Sequence, residues 1–557
     1  MPRLSPVQGV AVILTILTAV MCQQFVTTHA ASAATATELP NDCIMINKDP
    51  SKIVCVCNEQ KCDDLTFDWP TVSGQTYLVE TTKHGQRFAT TRLADAVIHD
   101  SNNSLTPESS SGKSVISVNL DDQQQEVLGW GGAFTDAATI NIQSLSRELS
   151  ERLIESYFGL NGLQYNMGRV PIGGSDFSTR AYSYDDSSEP DLNLTKWSLA
   201  DEDLTYKIPT IKRAIEVAGS TMGTQLKLFA SPWSPPIWMK ANRSFKRGHL
   251  IDKDEIYQSY ANYLVKFYEH YRNHGVEFWG ATVQNEPMSA YYPFYFFNSL
   301  QMSTPEMIKF IGHFLGPALE SFGYTKQNFK LMIGDDSLGF INYQVPHAME
   351  NELVQKYISG MAFHWYVSGL LVPYDTLTTI VNKIEDKIEF VMMSEACEGA
   401  FMSFKHVDLG NWQRGEAYAS DIIEDFRRKT GAWIDWNLAL DLKGGPNWAG
   451  NYVDSPIIVD KSKNEFYKQP MYYVLGHFSR FMRPGSTVVG SSISHVSGLS
   501  VIAAHVKSTG HLVVNLLNKS NNERRVPLEV YQANKKLLSV DRVELKGNSM
   551  STIIIKL

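Results

Sequence analysis

Across residues 127–437 the sequence repeats one unit eight times: a short apolar run, a polar or Gly/Pro-marked exit, then a stretch with helical spacing. The apolar runs end at Gly131-Gly132, Val170-Pro171, Ser231-Pro232, Asn285-Glu286, Asp335-Asp336, His364-Trp365, Ser394-Glu395 and Asp435-Trp436. Between them apolar residues gather on single helical faces, as at Ile208, Ile211 and Ile215, or at Ile256, Tyr260, Tyr263 and Phe267 before a stop at Gly275. Thr304-Pro305-Glu306 opens another helix, with a capping threonine, a proline suited to the first turn and an acid favoured by the dipole. Strands alternating with helices predict an α/β chain, and eight such units predict a (β/α)8 TIM barrel over 125–442 completed by 466–485. A doubly wound open sheet is the alternative, and the count favours the barrel.

The flanks have a different texture. Residues 71–124 and 486–557 carry strand-like runs such as His511-Leu-Val-Val-Asn-Leu-Leu517 and Ser551-Thr-Ile-Ile-Ile555, without helical period, and predict one β-sandwich built from both ends of the chain. Four of the six cysteines, Cys43, Cys55, Cys57 and Cys62, crowd into residues 43–70, a β element that the loop-rich segment 443–465 could join. Arg3, the apolar run over residues 9–21 and small residues over 30–34 have the layout of a cleavable signal peptide over 1–34, too short to anchor a membrane. An oxidising secretory route favours two disulfides over a zinc cluster. Cys22 would leave with the signal, and Cys397 reads as a buried free thiol. Asn102, Asn193, Asn242 and Asn518 begin Asn-x-Ser/Thr sequons, expected on exposed glycosylated loops. A formal net charge of −9 and the lack of any Lys/Arg run argue against a nucleic-acid partner.

In a (β/α)8 barrel the C-terminal ends of the strands converge on one mouth. Glu286 and Glu395 occupy the ends of strands four and seven, so two carboxyls distant in sequence can meet there. Such a pair suits glycosidic cleavage: one protonates the leaving oxygen, the other attacks the anomeric carbon from about 5 Å away. An apolar wall and the neighbouring carboxylate would raise the pKa of the acid. A single strand-end glutamate is more often a surface acid; two at matching ends shift the balance. Asp335, Asp336 and His364 are also at strand ends and could ligate a metal, but no His-Glu-x-x-His spacing appears, and no Gly-x-Ser-x-Gly elbow or Gly-rich nucleotide fingerprint either. No metal or other cofactor is expected. Trp233, Trp365, Tyr366 and Trp436, at or just past strand ends, could stack on a sugar's apolar face, with core packing an equal alternative for each. Asn285 is a candidate donor to the sugar 2-hydroxyl.

The segments Thr282-Val-Gln-Asn-Glu-Pro287 and Ser394-Glu-Ala-Cys397 resemble the acid/base and nucleophile motifs of glycoside hydrolase family 30, on its glucosylceramide-cleaving branch. The resemblance runs through Gly131-Gly-Ala-Phe-Thr-Asp136, Ala230-Ser-Pro-Trp233, His364-Trp-Tyr366, Asp435-Trp-Asn-Leu-Ala-Leu440, Gly444-Gly-Pro-Asn-Trp448 and the four-cysteine spacing. It implies a retaining β-glucosidase that cleaves glucosylceramide at the membrane surface of the lysosome lumen, or a secreted counterpart, served by a saposin-type activator and a sorting receptor. It also implies glucose contacts from Asp136, Trp233, Asn285, Trp436 and Asn451, a mouth shaped by Tyr292, Phe294, His364, Trp365 and Tyr366, and support of the carboxylates by Arg169. The chain departs from the pattern at Gln284, where the family's human member has an acid, at Glu398, and in the aromatic insertion over 288–302. These departures bear on the aglycone. A β-glucosidase or β-xylosidase with a non-lipid aglycone, and a catalytically silent carbohydrate-binding homologue, are the competing expectations.

Overall fold

A computed structural model of the chain describes residues 42–99, 114–223, 225–400, 403 and 405–557. The signal segment, Cys22 and Asn102 lie outside the described residues. Eight parallel strands close into a barrel: β1 Gly129–Ala133, β2 Met167–Ile172, β3 Lys227–Pro232, β4 Gly280–Thr282, β5 Lys330–Ser337, β6 Ile358–His364, β7 Phe390–Ala396 and β8 Thr430–Asn437. Each strand pairs with its sequence neighbour, and β8 pairs with β1. Closure excludes the open sheet. The inner plug is Met167, Phe229, Met332, Ala362, Met392, Ala432 and Ile434, a layer of large side chains balanced by small ones.

The surrounding helices follow the apolar spacing. The helix Asp254–Asn273 buries Ile256, Tyr260, Tyr263 and Phe267, and Gly275 follows it at φ +82°, where glycine is favoured. The helix Thr304–Phe310 is capped one residue earlier than the sequence suggested. Ser303, not Thr304, holds the cap, its backbone N–H donating to Glu306 Oε2 at 2.7 Å, so that Pro305 sits in the first turn.

Both chain ends enter one ten-stranded sheet over 76–126 and 487–556. Strand alternation divides its residues between two cores. Ile553 and Ile555, with Leu512, Val514, Leu516, Ile116 and Val118, pack into a cluster internal to the sheet domain. Ile554, Val513 and Met550 face the opposite way, into the core that covers the barrel helices. Each such side chain contributes roughly 1.5–3 kcal/mol on burial, and a one-residue slip would exchange the two faces, so the register is strongly specified. A smaller five-stranded sheet joins Cys43–Met45 and Ile53–Cys57 to Leu440–Asp441, Ile457–Asp460 and Glu465–Lys468. Its cysteines form disulfides Cys43–Cys55, across paired strands, and Cys57–Cys62, rather than a zinc cluster. Cys397 is a buried free thiol. No helix among the described residues is long and apolar enough to cross a membrane.

Candidate active site

The mouth is built by continuing the inward alternation of the barrel by one step. Two residues beyond plug residues Met167, Phe229, Ala362 and Ile434 come Arg169, Ser231, His364 and Trp436, all buried. Bulges interrupt the regular pairing, and two of them, in β5 and β7, bear on the mouth network. In β5 the pairing with β6 skips Asp335, which adopts φ +54° just after Gly334 at φ +101°. A Cβ at Gly334 would lie 2.3 Å from the carbonyl oxygen of Ala362, so glycine is required for the approach. In β7 the pairing skips Ser394, and both Ser394 and Glu395 reach the mouth network. Glu286 lies beyond the end of β4 at φ +45°, its backbone N–H donating to the Asp335 carbonyl at 2.8 Å. Non-glycine residues rarely adopt such angles, and those that do cluster where structure aims side chains at a site.

Arg169 is the hub. Its Nη1 pairs with Glu395 Oε2, its Nη2 donates to Asp335 Oδ2 at 2.9 Å and to Asn285 Oδ1 at 2.8 Å, and its Nε donates to Ser231 Oγ at 3.2 Å. The guanidinium lies 5.0 Å from the ring of Trp233 and 5.3 Å from that of Trp436, and these indoles stack on each other at 5.2 Å. The other oxygen of Glu395, Oε1, accepts from Tyr366 at 2.9 Å, and Cys397 Sγ lies 3.1 Å from that hydroxyl. Glu286 Oε1 is 3.0 Å from His364 Nδ1, Glu286 Oε2 accepts from Tyr295, and His364 Nε2 is 3.0 Å from Asp335 Oδ1. A carboxylate oxygen of Glu286, one of Glu395 and a nitrogen of His364 all lie within 4.8 Å of one another.

The electrostatics follow from dry walls around three carboxyls and two cations. Burial pulls the His364 imidazole down, but the charge of Glu395 and the hydrogen bonds to Asp335 and Glu286 outweigh it and push the group up to about 10. His364 is therefore a cation that donates from both nitrogens. Burial would raise Asp335, yet Arg169 and His364 hold it well below the ordinary carboxylate range. Burial raises Glu395; His364 and Arg169 counter this, and Glu286 adds to it. Asp336 accepts the backbone N–H groups of Met288 and Ser289, each at 2.9 Å, and of Ser337 at 2.7 Å, so it anchors the segment after β4.

The structure thus brings together Glu286, Glu395, Asn285, Arg169, Trp233, Trp436, His364 and Tyr366. Asp136 is buried beside the Asp176 turn, where its Oδ1 pairs with Lys207 at 3.2 Å, its Oδ2 accepts from Tyr182 at 3.0 Å, and the Ala137 backbone N–H donates to the Phe177 carbonyl at 2.9 Å. Asp176 is a further acid within electrostatic reach of Glu395 and Glu286. Asn451 Nδ2 donates to it at 2.9 Å and Asn447 Nδ2 lies 3.4 Å away; burial, with Glu395 and Glu286 adding to it, pushes it up to about 7. Sequence reasoning missed Asp176, although it follows the end of β2 by only four residues. Trp365 packs edge-on against Tyr418 at 5.3 Å, against the helical core. Tyr292 is half-buried and Phe294 is exposed, while the neighbouring Tyr295, not singled out from the sequence, is the one that reaches Glu286. Among the sequons, Asn193 and Asn242 are exposed. Asn518 is not on an exposed loop: it is 1% exposed, and its Nδ2 donates to the carbonyls of Asn522 at 3.0 Å and Lys546 at 2.7 Å, so the amide that would carry a glycan is consumed by the fold.

Comparison with known proteins agrees with this architecture. The family model described as the glycosyl hydrolase family 30 TIM-barrel domain matches residues 127–482. The Caenorhabditis elegans protein named "Putative glucosylceramidase 3" is 39% identical over 471 residues, 84% of this chain and 87% of that one. The lysosomal acid glucosylceramidase of Mus musculus is 36% identical over 491 residues, 88% of this chain and 91% of that one. The crystal structure of SrfJ from Salmonella typhimurium superposes with a TM-score of 0.74 at 27% identity, covering 87% of this chain and 100% of that one.

Proposed function

Because the chain belongs to glycoside hydrolase family 30, we propose that it is a retaining β-glucosidase cleaving glucosylceramide to glucose and ceramide, with Glu395 as nucleophile and Glu286 as acid/base. The observation that carries this reading is the approach of the two carboxylates, with an oxygen of each within 4.8 Å of the other. Inverting enzymes need a gap of about 6.5–9.5 Å to seat a water, whereas direct attack needs about 5–5.5 Å. Arg169, paired with one oxygen of Glu395, and Tyr366, donating to the other, hold that carboxylate in place and favour its ionised form. Glu395 attacks the anomeric carbon while Glu286 gives its proton to the glycosidic oxygen, so ceramide departs neutral and glucose remains as an ester on Glu395. Glu286 then takes a proton from water, which attacks the anomeric carbon and releases glucose.

The surrounding groups fit these steps. Arginine only donates, so Asn285 must turn its oxygen to Arg169, which leaves its amide hydrogens free for the sugar 2-hydroxyl. The Trp233–Trp436 stack, braced on Arg169, offers an apolar wall to the sugar, and Asp176 with Asn451 offers acceptors and donors to its outer hydroxyls. The names of the mouse and nematode relatives support a glycolipid substrate. The leader-like N-terminus, two disulfides and the mouse relative's lysosomal name support a secretory route ending in the lysosome lumen; a saposin-type activator and a sorting receptor are partners that the family resemblance alone implies. The test is mechanism-based labelling with a cyclophellitol-type epoxide at acidic pH, read by peptide mass spectrometry, alongside hydrolysis of glucosylceramide and of a soluble β-xyloside. An unmodified Glu395 would refute the mechanism, and a preference for the xyloside would refute the substrate.

A further inference from the structure

Both oxygens of Glu286 already have a hydrogen-bond partner. His364 Nδ1 lies 3.0 Å from Oε1, and burial there is outweighed by the charge of Glu395 and the bonds to Asp335 and Glu286, so this cation faces Oε1 and leaves Oε2 as the oxygen to carry the proton that the acid must deliver. That oxygen is held by the hydroxyl of Tyr295. Burial and the charge of Glu286 push the Tyr295 hydroxyl well above its ordinary value, so it remains a protonated donor at every working pH.

Tyr295 belongs to a strap fixed at both ends. Asp336 binds its start through the backbone of Met288 and Ser289. At its far end Ser299 donates its backbone N–H to the Phe245 carbonyl at 2.9 Å, Asn298 bridges to Lys246, and Asn298 Nδ2 donates to the Gly174 carbonyl at 2.7 Å. Between these anchors the side chains alternate as on a strand. Tyr295 and Phe297 turn inward with rings 4.2 Å apart, whereas Phe294 and Phe296 turn outward, 67% and 56% exposed. The middle of the strap therefore presents two phenyl rings outside and a hydroxyl on the acid inside.

Building on the two-carboxylate reading above, we propose that Tyr295 is a specificity-determining positioning residue: it sequesters the proton-bearing oxygen of Glu286 until an apolar aglycone, lodged against Phe294 and Phe296, draws the strap and its hydroxyl away. A short or polar aglycone cannot supply that displacement and must break the Tyr295 hydrogen bond unaided. One hydrogen bond to the protonated, neutral acid is worth about 0.5–1.5 kcal/mol net, up to about a tenfold change in rate.

The experiment compares wild type with Tyr295→Phe, which keeps the ring and its contact with Phe297. The substrates are glucosylceramide in mixed micelles, an alkyl β-glucoside series from methyl to dodecyl, and dinitrophenyl β-glucoside, whose leaving group departs without acid assistance. The variant should raise kcat/KM for methyl β-glucoside up to about tenfold relative to glucosylceramide and relative to dinitrophenyl β-glucoside. In wild type kcat/KM should climb with alkyl length, and in the variant that climb should flatten. A merely structural role would lower all substrates together and could not produce a gain. Equal or lower methyl-glucoside activity in a variant with unchanged thermal midpoint, or a wild-type series with no dependence on chain length, overturns the latch. Epoxide labelling of Glu395 separates the two ideas: labelling that persists while these ratios stay fixed removes the latch alone, whereas no labelling in either protein removes the two-carboxylate reading beneath it.

Discussion

Replacing Arg169 by methionine asks whether the charges of the mouth are held in place by one another. Methionine keeps an unbranched apolar stem beside Trp233 and Trp436 but removes every donor. Arg169 is 0% exposed and binds two carboxylates, Glu395 and Asp335, besides Asn285 and Ser231. Removing one partner of a buried ion pair typically costs about 3–5 kcal/mol, because the other charge stays behind without compensation. The pH dependence gives the sharper test. In the wild type Asp335 is held below its ordinary value of 3.8, so its contribution to stability is complete above that value and is lost as the pH falls toward the depressed one. In the variant His364 and the hydroxyls of Thr282, Ser394 and Tyr366 still oppose burial but the charge of Arg169 is gone, so Asp335 and Glu395 move upward and their ionised forms destabilise the fold as the pH rises. The difference between the two proteins should thus be largest near neutrality. Each unit of relative pKa shift is worth about 1.4 kcal/mol, so a gap of about 3–5 kcal/mol near pH 7 should narrow by about 1–2 kcal/mol at pH 4. Guanidinium unfolding followed by tryptophan fluorescence at both pH values measures it. Equal losses at both, or a larger loss in acid, would refute the reasoning.

Four further outcomes are expected. Glu395→Gln should abolish turnover of every β-glucoside, whereas Glu286→Gln should lose about 10²–10⁴-fold on substrates that need acid assistance and much less on dinitrophenyl β-glucoside; comparing initial rates on the two leaving groups checks it, and equal losses would contradict the role of Glu286. Glycopeptide mass spectrometry of secreted protein should find Asn518 unmodified. Asn518→Ala should destabilise the sheet domain by about 1–3 kcal/mol, because the Asn522 and Lys546 carbonyls lose their shared donor.

What the sequence disclosed and what it withheld divide along a physical line. Apolar runs of fixed length and the helices between them carry their period in every residue, so the eight strands and the mouth they form were legible, as were His364, Glu395 and Trp436 at strand ends, whereas Arg169 came only through the family resemblance. Side-chain direction outside the regular pleat was not. Asp136, given only by the family resemblance, opens the helix Asp136–Gln143 and pairs with Lys207, a placement that no strand period announces. Asp176 lies on an irregular turn whose direction no periodicity records. The bulges at Asp335 and Ser394 and the positive φ of Glu286 re-aim side chains through backbone choices that residue type alone does not announce. The aromatic insertion is the clearest case. Its composition suggests only an apolar surface, and only the alternation between two fixed anchors assigns Phe294 and Phe296 to solvent and Tyr295 to Glu286. A segment whose composition suggests only a contact surface therefore also bears on the acid itself, and aglycone preference and acid catalysis become properties of the same few residues.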